Sequence, residues 1–115
     1  MENLKAHLLQ RYYPGIAKIS PELYEKVLAR SGGRCEICGS RDRVEVHHAC
    51  GRRRAVWVGN LRMLCHSCHK GKESVHQSKK VNDQMMREMQ GIYFGLGFTD
   101  EEVRYLLGTK SGKLF

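Results

Sequence analysis

Four of the five cysteines in this chain fall into two Cys-x-x-Cys pairs that lie about thirty residues apart. Each pair can form a tight turn that presents two thiolates to one side, and two such pairs facing each other complete a tetrahedral zinc site. A closed four-thiolate site has no open coordination position, so it stabilises a fold without catalysing a reaction. Unrelated thiols and a redox pair are the alternatives. The predicted ligands of this structural zinc are Cys35, Cys38, Cys65 and Cys68.

A histidine doublet lies between the two cysteine pairs, and His69 follows the second pair directly. Residues 44–48 alternate as a strand does, so one histidine of the doublet can bind a metal ion while the other, with local distortion at the strand end, faces a substrate. Hydrolysis of a phosphodiester requires an activated water, neutralisation of the phosphate and help for the leaving oxygen. A histidine suits the first task and a divalent cation the other two. Taken singly, each histidine is more often a surface or capping residue.

Four predicted elements, which follow one another in the centre of the chain, must position these side chains. The strand at 44–48 is followed by a turn at Gly59-Asn60, a return strand over 61–64 and a helix that begins at Cys68. On that helix His69, Glu73 and His76 would share one face, because they are spaced at i, i+4 and i+7.

Helical patterns flank this centre on both sides. Before it, Leu4, Leu8 and Arg11 suggest a short helix, and Ser20-Pro21 predicts the start of a second one that ends at Gly32-Gly33.

After the centre, a helix is predicted to start at Asn82 or Asp83, with a methionine stripe that is read as core rather than as a partner surface. Thr99 opens a last helix with a capping-box pattern, and Gly108 closes it. The expected class is α+β in a single domain over 1–115, divided into a helical flank (1–33), a core (34–76) and a second helical flank (77–115).

Length and charge limit the function classes. The chain has 115 residues, which suits one domain, and no apolar run approaches the roughly 20 residues of a membrane span. The N-terminal residues lack the apolar core of a signal peptide, so a cytoplasmic protein is expected. A net charge of +8 favours a polyanionic partner, with nucleic acid first and an anionic membrane surface second.

The stretches Cys-Glu-Ile-Cys-Gly, Val-Glu-Val-His-His and Gly-Asn-Leu-Arg-Met-Leu-Cys-His-Ser-Cys-His-Lys-Gly-Lys together resemble the HNH endonucleases, of the zinc-ribbon kind common in bacteria and bacteriophages. The resemblance covers about residues 34–76. It implies a ββα-metal core with two zinc knuckles and a metal-dependent hydrolysis of DNA phosphodiester bonds.

The resemblance also implies roles for single residues. His48 corresponds to the general base, and Asn60 to the asparagine that orders the loop and orients the base. His47 and His69 correspond to ligands of one catalytic divalent cation, for which Mg²⁺, Mn²⁺, Ni²⁺ and Zn²⁺ remain open. Glu73 departs from the pattern, since some members carry a histidine there, and is a further candidate ligand. The residues expected to contact DNA phosphates are Arg52, Arg53, Arg54 and Lys72.

Two other functions are compatible with the same residues. A zinc-ribbon nucleic-acid-binding protein without catalysis, such as a phage recombination or packaging accessory protein, would need the cysteines and the basic loop alone. A structural partner or homodimer would use the C-terminal helices as its contact surface. Glu45 either orients a ring N–H of a neighbouring histidine or faces solvent.

Overall fold

The structure is a computed structural model that describes residues 8–9, 18–50, 56–108 and 114–115. Along these residues the elements are helix α1 (Pro21–Ser31), strand β1 (Glu45–His48), a 3-10 turn (Val58–Asn60), strand β2 (Leu61–Leu64) and helices α2 (His66–Lys70), α3 (Lys79–Gly95) and α4 (Asp100–Leu107). The two strands form one antiparallel sheet. The predicted α+β class is therefore confirmed.

Helix α1 begins and ends where its sequence predicts. The Ser20 side chain accepts a hydrogen bond from the backbone N–H of Leu23, and Pro21 occupies the first helical position. Gly32 ends the helix with a φ of 67°, which is the left-handed conformation that glycine adopts without strain. The helix packs on the sheet through Val27, which is fully buried.

The two strands form a hairpin whose faces differ. In the register of the hairpin His47 lies opposite Arg62, and Val46 lies opposite Met63. Because successive side chains of a strand point to opposite faces, His47 and Arg62 share one face and Val46 and Met63 share the other. Met63 packs with Val27 of α1, so the face that carries His47 is the one turned away from α1.

The prediction of one helix running from Cys68 through His76 is wrong. Helix α2 ends at Lys70, and Gly71 leaves the helical conformation with a ψ of −177°. The Gly71 N–H donates to the carbonyl of Ser67, and a Cβ on Gly71 would meet that oxygen at 2.5 Å. Glycine is a poor helix former, so the chain turns here. Residues 71–77 form turns, and the Val75 N–H donates to the carbonyl of Cys68 at 3.0 Å.

Helix α3 starts three residues earlier than the first predicted start, Asn82. Ser78 is its N-cap, and the Ser78 hydroxyl accepts from the Val81 N–H at 3.3 Å. This cap, and not the apolar pattern that begins further along, sets the start of the helix. The methionine stripe lies in the core as predicted, because the side chains of Met85, Met86 and Met89 are buried.

Helix α4 has the predicted capping box. The Thr99 hydroxyl accepts from the Glu102 N–H, and the Glu102 carboxylate accepts from the Thr99 N–H. Gly108 ends the helix with a φ of 67°.

The first predicted helix, with Leu4 and Arg11, lies outside the described residues apart from the buried Leu8. None of the helices in the described ranges is both long enough and apolar enough to cross a membrane.

Candidate metal centres

The four paired cysteines converge on one point. Their sulfur atoms all lie within 4.8 Å of one another, and the Sγ atoms of Cys38 and Cys65 are 3.6 Å apart. A tetrahedral zinc ion with Zn–S bonds of about 2.3 Å separates its sulfurs by about 3.8 Å. Cys35, Cys38, Cys65 and Cys68 therefore lie close enough to hold a metal ion, and their spacing is compatible with structural zinc. We call these four residues the sulfur cage.

The backbone of the first knuckle favours a thiolate. The Cys35 sulfur accepts from the backbone N–H groups of Ile37 and Cys38 at 3.4 and 3.5 Å, and Gly39 completes the turn with a φ of 79°. Burial alone would raise the pKa of the Cys35 thiol, but these N–H groups outweigh it and lower the pKa to about 6. Burial and the three neighbouring sulfurs raise the pKa of Cys68. Four thiolates this close need a cation to neutralise them.

Glu36 joins the first knuckle to the sheet. Its carboxylate accepts from the Met63 N–H at 2.7 Å, while the Glu36 N–H donates to the Met63 carbonyl at 2.7 Å. Arg30 of α1 binds the same carboxylate in a bidentate pair at 2.7 and 2.9 Å. No local pattern in the sequence marks Glu36, because Met63, the residue to which it binds in the sheet, is 27 positions away.

Three histidines form a second group beside the sulfur cage. Ring nitrogens of His47, His69 and His76 all lie within 4.8 Å of one another, and the ring centroids are 4.7 to 5.0 Å apart. The Nε2 atoms of His69 and His76 are 3.0 Å apart. Two nitrogens bound to one metal ion at about 2.1 Å are separated by about 3.0–3.4 Å. We call these three residues the histidine group.

Glu45 fixes the orientation of His69. Its carboxylate oxygen lies 2.7 Å from His69 Nδ1, and hydrogen bonding to His69 lowers the pKa of Glu45. A carboxylate accepts the proton of Nδ1–H, which leaves the lone pair of Nε2 directed at His76. This is the arrangement that carboxylates adopt behind metal-binding histidines. Glu45 was expected either to orient a neighbouring histidine or to face solvent, and in the structure it contacts His69.

His47 is a buried, neutral imidazole. It is 7 % exposed, and its Nε2 atom is buried with no hydrogen-bond partner among the described residues. Burial, followed by the charges of His69 and His76, lowers the pKa of His47 to about 3. A buried nitrogen lone pair without a donor is costly unless something binds it, so this atom suits a metal ligand.

His76 was missed as a candidate ligand, and Glu73 stands apart from the histidine group. Glu73 is exposed and lines a cavity on the side of α3, together with Lys80 and Glu88. The chain leaves the helix at Gly71, and the turns that follow bring His76, but not Glu73, to His69. The signal that could have found His76 was its own residue type, seven positions after His69.

Asn60 anchors the chain that follows the histidine doublet. Its side chain is fully buried, and its Oδ1 atom accepts from the Cys50 N–H at 2.9 Å. Its carbonyl accepts from the Ala49 N–H, also at 2.9 Å. The asparagine therefore holds the two residues that directly follow His48.

His48 is the last residue of β1 and is half-buried. The alternation of the strand directs it to the face opposite His47. It is nonetheless close enough for its charge to contribute to the lowered pKa of His47.

Of the predicted phosphate contacts, Lys72 is exposed. Arg52, Arg53 and Arg54 lie outside the described residues.

Comparison of the chain with protein-family models, with curated proteins and with solved structures found no match. Function therefore has to follow from the chemistry of the sulfur cage, the histidine group and the residues around them.

Proposed function

We propose that this protein is a metal-dependent endonuclease of the HNH type, which hydrolyses DNA phosphodiester bonds. The observation that carries the proposal is the histidine group. Three imidazole nitrogens converge between a two-stranded hairpin and a short helix, and Glu45 supports one of them from behind. Such a group suits a catalytic divalent cation, whereas the adjacent sulfur cage suits structural zinc.

In this proposal His47, His69 and His76 hold the catalytic cation. Bound there, a divalent cation neutralises charge on the scissile phosphate and stabilises the leaving oxygen. Because three side-chain nitrogens leave coordination positions open, a phosphate oxygen and a water have room to bind. The Glu45 carboxylate keeps His69 in the tautomer that presents Nε2.

His48 is the proposed general base that takes a proton from the attacking water. An imidazole is well suited to this task at neutral pH. Asn60 positions it indirectly, by binding the N–H groups of the two residues that follow. His48 is the last residue of β1, and the proposal requires its side chain to turn toward the histidine group where the strand ends.

The charge of the chain supports a nucleic-acid substrate. The formal net charge is +8, and the exposed Lys72 lies two residues beyond the end of α2. Together with the basic run at 52–54, this charge would neutralise backbone phosphates. We place the protein in the cytoplasm of a bacterial or phage-infected cell.

One observation favours a second function, a zinc-ribbon nucleic-acid-binding protein without catalysis. The alternation of β1 directs the proposed base, His48, to the face opposite the metal-binding His47. A binding protein would need the sulfur cage and the basic residues and would make no use of a base.

Nicking of supercoiled plasmid separates the two functions. The wild-type protein is incubated with plasmid and with Mg²⁺, Mn²⁺ or Ni²⁺, and each reaction is repeated with chelator. His48→Ala should lower the rate by about 10²–10⁴-fold, since general-base catalysis contributes that much. Tyr24→Ala is the control, because it removes an exposed ring of α1 that lies outside both the sulfur cage and the histidine group.

Full activity of purified His48→Ala would refute the assignment of the base. Tight plasmid binding by the wild-type protein without nicking under any of the ions would favour the binding protein over the endonuclease.

A further inference from the structure

A cavity of about 850 Å³ opens between the end of α1, the first zinc knuckle, the start of β2 and helix α3. None of the cysteines of the sulfur cage or the histidines of the histidine group lines it. Val81 and Met85 of α3 contribute to its apolar lining, and Arg30 and Arg62 line it as well.

Arg62 is a half-buried cation that lacks a carboxylate partner. Its guanidinium donates to the carbonyls of Gly59 and Leu61 at 2.7 and 3.0 Å and contacts the sulfur of Met89 at 3.3 Å. No carboxylate of the described residues lies within ion-pair distance of it. Burial, followed by the charge of Arg30, lowers the pKa of Arg62, while the charges of Glu36, Glu88 and Cys50 act in the opposite direction. The surroundings thus leave its positive charge uncompensated by direct contact.

The other charges around the cavity are already balanced. Arg30 donates to the Leu61 carbonyl as well, so the two guanidinium groups are neighbours, but Arg30 is paired with Glu36. At the solvent side, the exposed side chains are two cations and two carboxylates: Lys80, Arg87, Glu73 and Glu88. The lining therefore carries four cations and three carboxylates in all, which leaves one net positive charge, and among the four cations Arg62 is the half-buried one without a carboxylate in direct contact.

We propose that this cavity binds a phosphate group through Arg62, and that the phosphate is the one next to the cleaved bond in the nucleic-acid substrate. Three of the five N–H groups of the Arg62 guanidinium make the contacts above, so two are left for a phosphate, the ligand to which this side chain is best suited. Arg62 lies directly opposite His47 in the hairpin and on the same face, where paired Cβ atoms are about 4.5–5.5 Å apart. A strand whose phosphate contacts the histidine group therefore passes Arg62. This assignment rests on the proposed function.

The binding itself is tested by NMR without added divalent ion, so that no cleavage occurs. Inorganic phosphate and a short DNA oligonucleotide are titrated separately into the ¹⁵N-labelled protein. Both should shift the Arg62 Nε–H signal and the amide of Gly59, and the oligonucleotide should do so at lower concentration. Shifts with phosphate but none with oligonucleotide would refute the assignment to the nucleic-acid backbone, and no shift with either would refute the site.

Two substitutions that each remove one positive charge test how much Arg62 contributes to DNA binding. Arg62→Gln should weaken oligonucleotide binding about tenfold and reduce the slope of log Kd against log salt by about 1, while Arg62→Lys should recover part of the loss. Arg104→Gln, on the exposed face of α4 and outside the cavity, is the matched control and should change neither quantity by as much.

A second variant tests the same site independently, in case Arg62→Gln does not fold. Gln84→Glu places a carboxylate in the cavity from an exposed position on α3, leaves the hydrogen bonds of Arg62 intact and should weaken binding by repulsion. If Gln84→Glu and Arg62→Gln both behave like Arg104→Gln, the phosphate site is refuted. A wild-type protein that binds DNA through Arg62 but never nicks it would refute the proposed reaction and leave the phosphate site standing.

Discussion

The three imidazoles of the histidine group reach one point from different parts of the chain. His47 comes from the middle of β1, His69 from helix α2 and His76 from the turns that follow it. Each is constrained differently, since His47 is held by burial and His69 by Glu45. The distance of 3.0 Å between the Nε2 atoms of His69 and His76 makes His76, rather than Glu73, the third candidate ligand.

The ligand assignment predicts different effects for two neighbouring substitutions. His76→Gln should weaken Mn²⁺ or Co²⁺ binding at the histidine group by about tenfold or more, because it removes one of three nitrogen ligands. Glu73→Gln, a change of similar size at an exposed position, should leave this affinity unchanged. Isothermal titration calorimetry of zinc-loaded protein measures both. Equal affinity of His76→Gln and wild-type protein would contradict the assignment.

The burial of His47 predicts a pH dependence of stability. The pKa of His47 is about 3 in the folded state, against an ordinary value of 6.5, so only the unfolded state gains this proton as the pH falls from 6.5 toward 3. The free energy of unfolding should fall over that window, by at most about 1.4 kcal/mol per pH unit from this group.

The measurement is urea unfolding of the wild-type protein and of His47→Leu between pH 7 and pH 4. Protonation of the cysteines affects both proteins, so the difference between their slopes isolates His47. The stability of His47→Leu should depend less steeply on pH, and parallel slopes would contradict the assignment of a buried neutral imidazole.

At the scale of elements, helix α2 connects the two candidate metal centres. Its five residues include Cys68, which belongs to the sulfur cage, and His69, which belongs to the histidine group. Gly71 then ends the helix and allows the chain to bring His76 back toward His69. The position of His76 therefore depends on where α2 stops.

Two glycine substitutions test this dependence. In Gly71→Ala the new Cβ would lie 2.5 Å from the Ser67 carbonyl oxygen, so the variant should lose about 1–3 kcal/mol of stability and bind Mn²⁺ more weakly at the histidine group. Gly91→Ala, in open space within α3, should instead gain about 0.5–1 kcal/mol. Urea unfolding compares the two, and an unperturbed Gly71→Ala variant would contradict the account of the turn.

The same elements mark how far the sequence predicts the structure. The caps at Ser20 and Thr99 and the alternation of β1 are local signals, and their elements formed as expected. The cysteine spacing predicted the cluster of four sulfurs. The end of α2 and the recruitment of His76 depend on a turn stabilised by contacts between chain segments, such as the Val75 N–H with the Cys68 carbonyl, and the local pattern did not show them.

At the scale of the whole molecule, the helices outside residues 34–76 support the centre. The Trp57 Nε1–H donates to the Tyr93 hydroxyl of α3 at 3.0 Å, and the Trp57 carbonyl accepts from the Asn60 N–H at 3.0 Å. A Cβ on Gly59 would collide with the Trp57 ring at 2.4 Å, so the indole packs directly on the turn that positions Asn60. Helix α3 is thus part of the scaffold of the candidate site.

If the protein cleaves DNA with an ion held by the histidine group, a parallel Mn²⁺ titration should show ion binding and cleavage together. Ion binding is followed by electron paramagnetic resonance and nicking of supercoiled plasmid in the same samples, for wild-type protein and His69→Ala. For the wild type, both signals should saturate at the same Mn²⁺ concentration, and His69→Ala should lose both while keeping its cysteine-bound zinc. Nicking that persists in His69→Ala, or wild-type binding that saturates without any nicking, would contradict the proposed function.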